Sequence, residues 1–245
     1  MIRENTMHTE ELMINHNDTK LINYIAYDEK LNGEQPAVII VPAFEGRVET
    51  YDAYARQCAE LGYVGIAVDM YGDRQIGSDV DTCMGFITPF FQDRRFLQDR
   101  IVTLFEAIQK LSKVDANKIA AFGFCFGGMA VLDLARTGAD VKAVASLHGI
   151  LAAPENLANQ DISSNVLALH GYDDPQVPPT QLADFAKEMD SKGADWQMTY
   201  YGGTKHAFTD PNAAKIGAPE MGRVYNPIAA KRAWQACQNL FTEVF

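Results

Sequence analysis

Gly123-Phe124-Cys125-Phe126-Gly127-Gly128 follows the apolar run KIAAFGF, Lys118 to Phe124, and leads into GGMAVLDLAR, Gly127 to Arg136. The first stretch is short, apolar and bounded by turn residues, as expected of a strand buried on both faces. The second carries apolar residues at helical spacing. Between them lies the nucleophile-elbow pattern G-x-S-x-G with Cys in place of Ser and one extra Gly. A residue on so sharp a turn has strained dihedrals, and its neighbours must be small for strand, turn and helix to approach one another. Cys125 is therefore expected at the N-terminus of a helix, where the dipole and free amides favour a thiolate.

Outward from this segment the chain alternates strand and helix patterns. Lys20 to Tyr27 alternates like an edge strand, and Ala37 to Pro42 and Val64 to Asp69 read as buried strands. Tyr51 to Leu61 and Asp93 to Leu111 have helical spacing. Met70 to about Pro89 is irregular and is expected to be a long functional loop, a candidate lid. Downstream, VKAVASLHG, NVLALHG (Asn165 to Gly171) and WQMTYYGG read as strands, Gln181 to Ser191 and Pro227 to Phe245 as helices. Continuous rather than alternating hydrophobicity in the inner strands implies an α/β fold, a mainly parallel sheet with helices on both faces. Residues 1–19 are expected as a polar N-terminal arm, frayed or in part a tag, and 20–245 as a single domain. In such sheets the site lies beyond the carboxyl ends of the strands.

The 245 residues carry 21 Lys plus Arg against 32 Asp plus Glu, a net charge of −11, and 47% are hydrophobic. A sizeable core is expected, and the acidic balance argues against a nucleic-acid partner, which needs a concentrated basic surface. Cys58, Cys83, Cys125 and Cys237 are scattered without a C-x-x-C pair, which suits reduced thiols better than a zinc site or a disulfide scaffold. MIRENTMHTEELMIN lacks the basic start and apolar core of a signal peptide, and AVIIVPAF is too short to cross a bilayer. The expectation is a cytoplasmic protein, monomer or homodimer, that does not bind membranes. Without a phosphate-binding glycine loop or a metal-ligand cluster, neither a cofactor nor a metal is expected.

A nucleophile on an elbow needs a base and a group that orients the base. His8 and His16 lie in the polar arm; His148 and His170 end apolar strands and could approach a site. His206, in GGTKHAF after the last strand, follows every acid candidate, and the order nucleophile, acid, His is that of α/β-hydrolases. The acid should follow NVLALHG, where Asp173 and Asp174 compete. An oxyanion hole needs two backbone donors: Phe126, after the nucleophile, and Phe44 or else Glu45 in the loop after AVIIVP.

With these residues in place, the chain resembles the dienelactone hydrolase family of α/β-hydrolases. The matching features are GFCFGG, the D-P-x-V-P segment at Asp174, H-A-F at His206, the strand ending in VDMYG and the loop after AVIIVP, over roughly residue 20 to the end. The resemblance selects Asp174 over Asp173 and implies an α/β-hydrolase fold with a Cys125-Asp174-His206 triad. Two departures accompany it. Family members often carry a Glu that partners the resting Cys; the corresponding position is Ala43, with Glu45 two residues later as a possible substitute. They also hold a substrate carboxylate with arginines; the position four residues after the His is Asp210, while Arg74 could match the other. The expected substrate is accordingly a small neutral activated ester or lactone. Competing readings are a hydrolase of neutral activated phosphotriesters using the same triad, and a non-catalytic ligand-binding or thiol-sensing protein on the same fold.

Overall fold

Alternate residues of the strand Gln35–Val41 enter two different cores: Ala37, Ile39 and Val41 pack on one side, Val38 and Ile40 on the other, and all five are inaccessible to solvent. That is why its sequence is continuously apolar: period-two geometry sends neighbours to opposite faces, and here both faces are covered. The computed structural model describes residues 6–155, 157, 160–217 and 221–245.

In chain order the elements are β1 (Met7–His16), β2 (Thr19–Asp28), β3 (Gln35–Val41), α1 (Glu49–Glu60), β4 (Val64–Ala67), α2 (Val80–Gln92), α3 (Arg94–Ile108), β5 (Val114–Phe124), α4 (Phe126–Arg136), β6 (Ala143–Leu147), β7 (Asn165–Gly171), α5 (Pro179–Ser191), β8 (Asp195–Tyr201) and α6 (Pro227–Val244). The strands form one sheet in the order β1-β2-β4-β3-β5-β6-β7-β8. β1 and β2 pair antiparallel and β2 runs antiparallel to β4, whereas all pairs from β4 onward are parallel. Buried residues of α2, α3, α4 and α5 line one face; those of α1 and α6 line the other. This is an α/β-hydrolase fold.

Three expectations change. Residues 7–16, expected within a loose arm, form β1, paired residue for residue with β2. The polar side chains of Thr9, Glu10 and Glu11 are exposed because β1 is the sheet edge, and β2 is thereby internal. Residues 1–5 lie outside the described residues. The expected loop from Met70 to Pro89 ends in helix α2: Asp79 caps it by accepting the Thr82 amide at 2.8 Å, and Cys83, Ile87 and Phe90 turn inward. Gly85 and Pro89 disguised that periodicity. Asp93 ends α2 and caps α3, accepting from the Phe96 amide at 3.1 Å.

Candidate active site

Cys125 stands between β5 and α4 with φ 52° and ψ −112°, backbone values that cost a non-glycine residue about 1–3 kcal/mol. The turn is held from both sides: the Cys125 amide donates to the Leu147 carbonyl of β6 at 3.0 Å, and its carbonyl accepts from Met129 at 3.2 Å. The glycines around it are steric necessities. A Cβ on Gly123 would collide with the Gly127 carbonyl, and one on Gly127 with the carbonyl of Val41. Strain at Cys125 therefore persists because strand, helix and neighbouring strand are locked together at van der Waals contact.

His206 lies in the loop after β8 and is fully buried. Its Nδ1 is 2.8 Å from Asp174 Oδ2, and the other Asp174 oxygen accepts the Gln176 amide at 2.8 Å. Asp173 is exposed, its amide donating to the Thr204 carbonyl, so of the two candidates Asp174 meets the histidine. His206 Nε2 is buried, and Cys125 is near enough to act on the ring through charge and hydrogen bonding. Burial opposes a charged imidazole here, yet Cys125 and Asp174 outweigh it and raise the His206 pKa from 6.5 to about 9. A buried histidine flanked by two anion-forming groups holds its proton at neutral pH.

Phe126 is the first residue of α4, so its amide is among those a helix leaves without an intrahelical partner. Phe44 sits opposite, where the carbonyl of Ala43 accepts from Gly46 at 3.2 Å and turns the Phe44 amide away from that bond. Tyr71 Oη donates to the Phe44 carbonyl at 3.0 Å and fixes the next peptide. Phe44 and Phe126 both line the groove that holds Cys125, whereas Glu45 does not. Phe44, Phe126, Ile87, Phe91, Ile150 and Arg223 surround Cys125 in a groove of about 220 Å³, open to solvent and walled by the apolar face of α2.

The two other residues singled out from sequence lie elsewhere. Glu45 is buried, but its carboxylate accepts the Tyr51 hydroxyl, which also accepts the Ala43 amide at 3.1 Å. Burial pushes the Glu45 pKa up, against the Tyr51 hydrogen bond. Among the described residues no bond joins Glu45 to Cys125. Arg74 is outside the groove: its amide donates to Asp69 at 2.8 Å and its guanidinium reaches Glu11 and Asp52.

Two further residues stand at the site, Arg223 without any sequence signal and His148 with a weak one. Arg223 is buried and pairs its backbone with His206, whose carbonyl accepts the Val224 amide at 3.0 Å. Its guanidinium lies 4.4 Å above the Phe44 ring and 3.7 Å from Asp210 Oδ2. The anion expected at Asp210 is thus balanced by a cation from a distant turn. His148, at the end of β6, has φ 41°, packs edge-on against His206 at 5.2 Å and bonds Thr209 Oγ1 at 2.8 Å through Nε2. Burial, then the nearness of His206 and Arg223, hold it neutral, well below the ordinary histidine pKa. Only its place at a strand end before Gly149 hinted at this.

A strained elbow that opens a helix, beside a buried acid–histidine pair, is the kind of equipment acyl transfer uses. Comparisons with known proteins agree. Residues 22–245 match the model of the dienelactone hydrolase family. A dienelactone hydrolase-like promiscuous phosphotriesterase from metagenomic libraries superposes with a TM-score of 0.93 at 35% identity, covering 98% of this chain and 99% of that one. A structure described as m3DLH does so with a TM-score of 0.92 at 33% identity, covering 98% and 99%. A Bradyrhizobium protein named as a probable 2-oxo-3-(5-oxofuran-2-ylidene)propanoate lactonase is 27% identical over 216 residues, 83% of this chain and 82% of its own. With a family match across nearly its whole length and the elbow, acid and histidine in the expected order, the chain belongs to the dienelactone hydrolase family of the α/β-hydrolase superfamily.

Proposed function

We propose that this family member hydrolyses small activated esters and lactones through a thioester on Cys125. The observation that carries the reading is the buried His206, hydrogen-bonded through Nδ1 to Asp174 at 2.8 Å, with Cys125 near enough to favour its charged form. The Cys125 thiolate attacks the carbonyl carbon, and the Phe44 and Phe126 amides take the developing oxyanion. As the C–O bond breaks, the His206 imidazolium passes its proton to the leaving oxygen.

Acylation itself then resets the histidine. Attraction to Cys125 is the largest influence raising its pKa, and burial is the opposing one. Once sulfur is bound in a thioester that attraction is gone while burial still opposes the charge, so the ring left neutral by the first proton transfer can accept a proton from water. Water attacks the thioester, the C–S bond breaks, and the thiolate returns beside a protonated His206. One side chain serves as acid and then base because its neighbour's charge alternates.

A thiolate is a better leaving group than a simple alkoxide, since a thiol titrates near ~8.5. The tetrahedral intermediate therefore returns to substrate unless the departing oxygen is stabilised, as in enol lactones and aryl esters. The walls of the groove favour a flat or aromatic substrate, and the Arg223–Asp210 pair leaves the site close to neutral. Wild type mixed with p-nitrophenyl acetate should release a burst of p-nitrophenol near one equivalent, absent in Cys125→Ala, and ethyl acetate should be turned over far more slowly. Equal turnover of ethyl and aryl esters would overturn the preference for activated leaving groups.

A second reading follows from Arg223, whose guanidinium lines the groove with Cys125. Phosphoryl transfer also develops charge on a non-bridging oxygen, and a relative that shares the fold at 35% identity is described as a promiscuous phosphotriesterase. Turnover of an aryl phosphotriester that vanishes in Cys125→Ala would support it; no turnover would restrict the enzyme to carboxyl esters.

A further inference from the structure

A second, smaller chamber that the acylation chemistry does not use shares Arg223 with the groove. Glu45, Tyr51, His148, Thr209, Asp210 and Arg223 line it together with apolar groups. Three buried polar atoms of these residues make no hydrogen bond to any described group: Glu45 Oε2, His148 Nδ1 and Arg223 Nε. Their residues are 7%, 1% and 3% exposed. Each such atom costs about 1–3 kcal/mol unless it finds a partner. A buried water typically makes about three hydrogen bonds, and an acceptor, a donor and a ring nitrogen able to be either suit it.

The chamber's position gives that water a task. Arg223 lines both the chamber and the groove, Glu45 follows the oxyanion residue Phe44, and the His148 ring rests against His206. Once an acyl group occupies the groove, it blocks approach from that side. Resting on the thioester reading above, we propose that the chamber of Glu45, His148 and Arg223 is a water site that supplies the nucleophile for deacylation of Cys125. A water held there enters between the oxyanion loop and His206, loses a proton to His206 Nε2 and displaces sulfur from the acyl carbon.

The test separates the two half-reactions with p-nitrophenyl acetate in a stopped-flow instrument, using Glu45→Leu, Glu45→Gln and Thr209→Val. Glu45→Leu removes a polar wall of the chamber, and its steady-state rate should fall about tenfold or more while its burst rate changes less than about threefold. Glu45→Gln, which keeps a hydrogen-bonding group, should retain most of the turnover. Thr209→Val, which frees His148 from its anchor without touching Glu45, should slow turnover more than the burst. Equal losses of burst and turnover in all three variants, or identical behaviour of Gln and Leu, overturns the proposal while leaving the thioester intact. If mass spectrometry of quenched wild type finds no acetyl group on Cys125, the thioester reading fails and takes this proposal with it.

Discussion

The two ends of α4 solve opposite problems with the same material. At its C-terminus Arg136 is wholly buried, and its guanidinium bonds Glu188 at 2.7 and 2.9 Å, Asp133 at 3.1 Å and the Leu151 carbonyl at 2.8 Å. Arg94 closes the cluster with two further bonds to Asp133 at 2.6 and 2.8 Å. Burial opposes the Arg136 charge, but Glu188 and Asp133 raise its pKa regardless. At the N-terminus, eleven residues away along the helix, Cys125 is strained and His206 Nε2, Glu45 Oε2, His148 Nδ1 and Arg223 Nε are all short of partners. A buried polar cluster that closes on itself ties elements together; one left open is stocked with groups that a substrate, a transition state or a water can complete. The difference lies in satisfaction of the polar atoms rather than in burial.

The sharpest way to break this comparison is to remove one member from each end. Cys125→Ala should abolish esterase turnover by at least ~10³-fold with only a small change in melting temperature, since Ala keeps the strained backbone turn and the thiol serves chemistry. Arg136→Ala should do the reverse, lowering stability by about 3–5 kcal/mol in urea denaturation because Asp133 and Glu188 lose their buried counter-charge, while the folded fraction keeps its kcat. A marked loss of stability in the first variant, or of kcat in the folded second, would erase the distinction.

Asp174→Asn comes next, with an expected fall of roughly 10²–10⁴-fold in kcat through loss of the charge and tautomer that hold His206. The pH dependence sharpens the same point. With His206 raised to about 9, its acid form persists through neutrality, so the burst rate should fall as pH rises through about 9. The same shift contributes folding stability that is complete below the unfolded value of ~6.5 and lost above about 9. In Cys125→Ala the leading cause of the shift is absent, and NMR titration should place His206 well below its wild-type value. The smallest effect should come from Phe91→Ala at the groove wall: a rise of about fivefold in KM for aryl esters, from roughly 1 kcal/mol of lost apolar contact, with little change in kcat.

Parts of this molecule read easily and parts do not, for identifiable reasons. GFCFGG is legible because its constraints are local: Gly123 and Gly127 touch backbone a few residues away or on the neighbouring strand, and no side chain fits. The inner strands are legible because burial on both faces demands apolar residues throughout. β1 is harder, since an edge strand exposes one face and its alternation of Met, Glu and Leu looks like a polar arm. In α2 a glycine and a proline mask a face that only the groove and core together define.

What the sequence alone determined is the order of the chemistry along the chain: a cysteine on an elbow, then two aspartates, then a histidine after the last strand. That order follows from short-range sterics and from the direction in which parallel strands deliver their ends. The family resemblance selected Asp174 over Asp173, and the structure brings Asp174 to the histidine; tertiary structure alone decided that Glu45 is bound by Tyr51, that Arg74 lies away from the groove and that Arg223 lies within it. Arg223 is 98 residues beyond Cys125 and reaches the site by pairing its backbone beside His206. No periodicity or motif encodes such a meeting. It exists only where separate loops converge at one end of the sheet, where distances rather than sequence spacing set which charges interact.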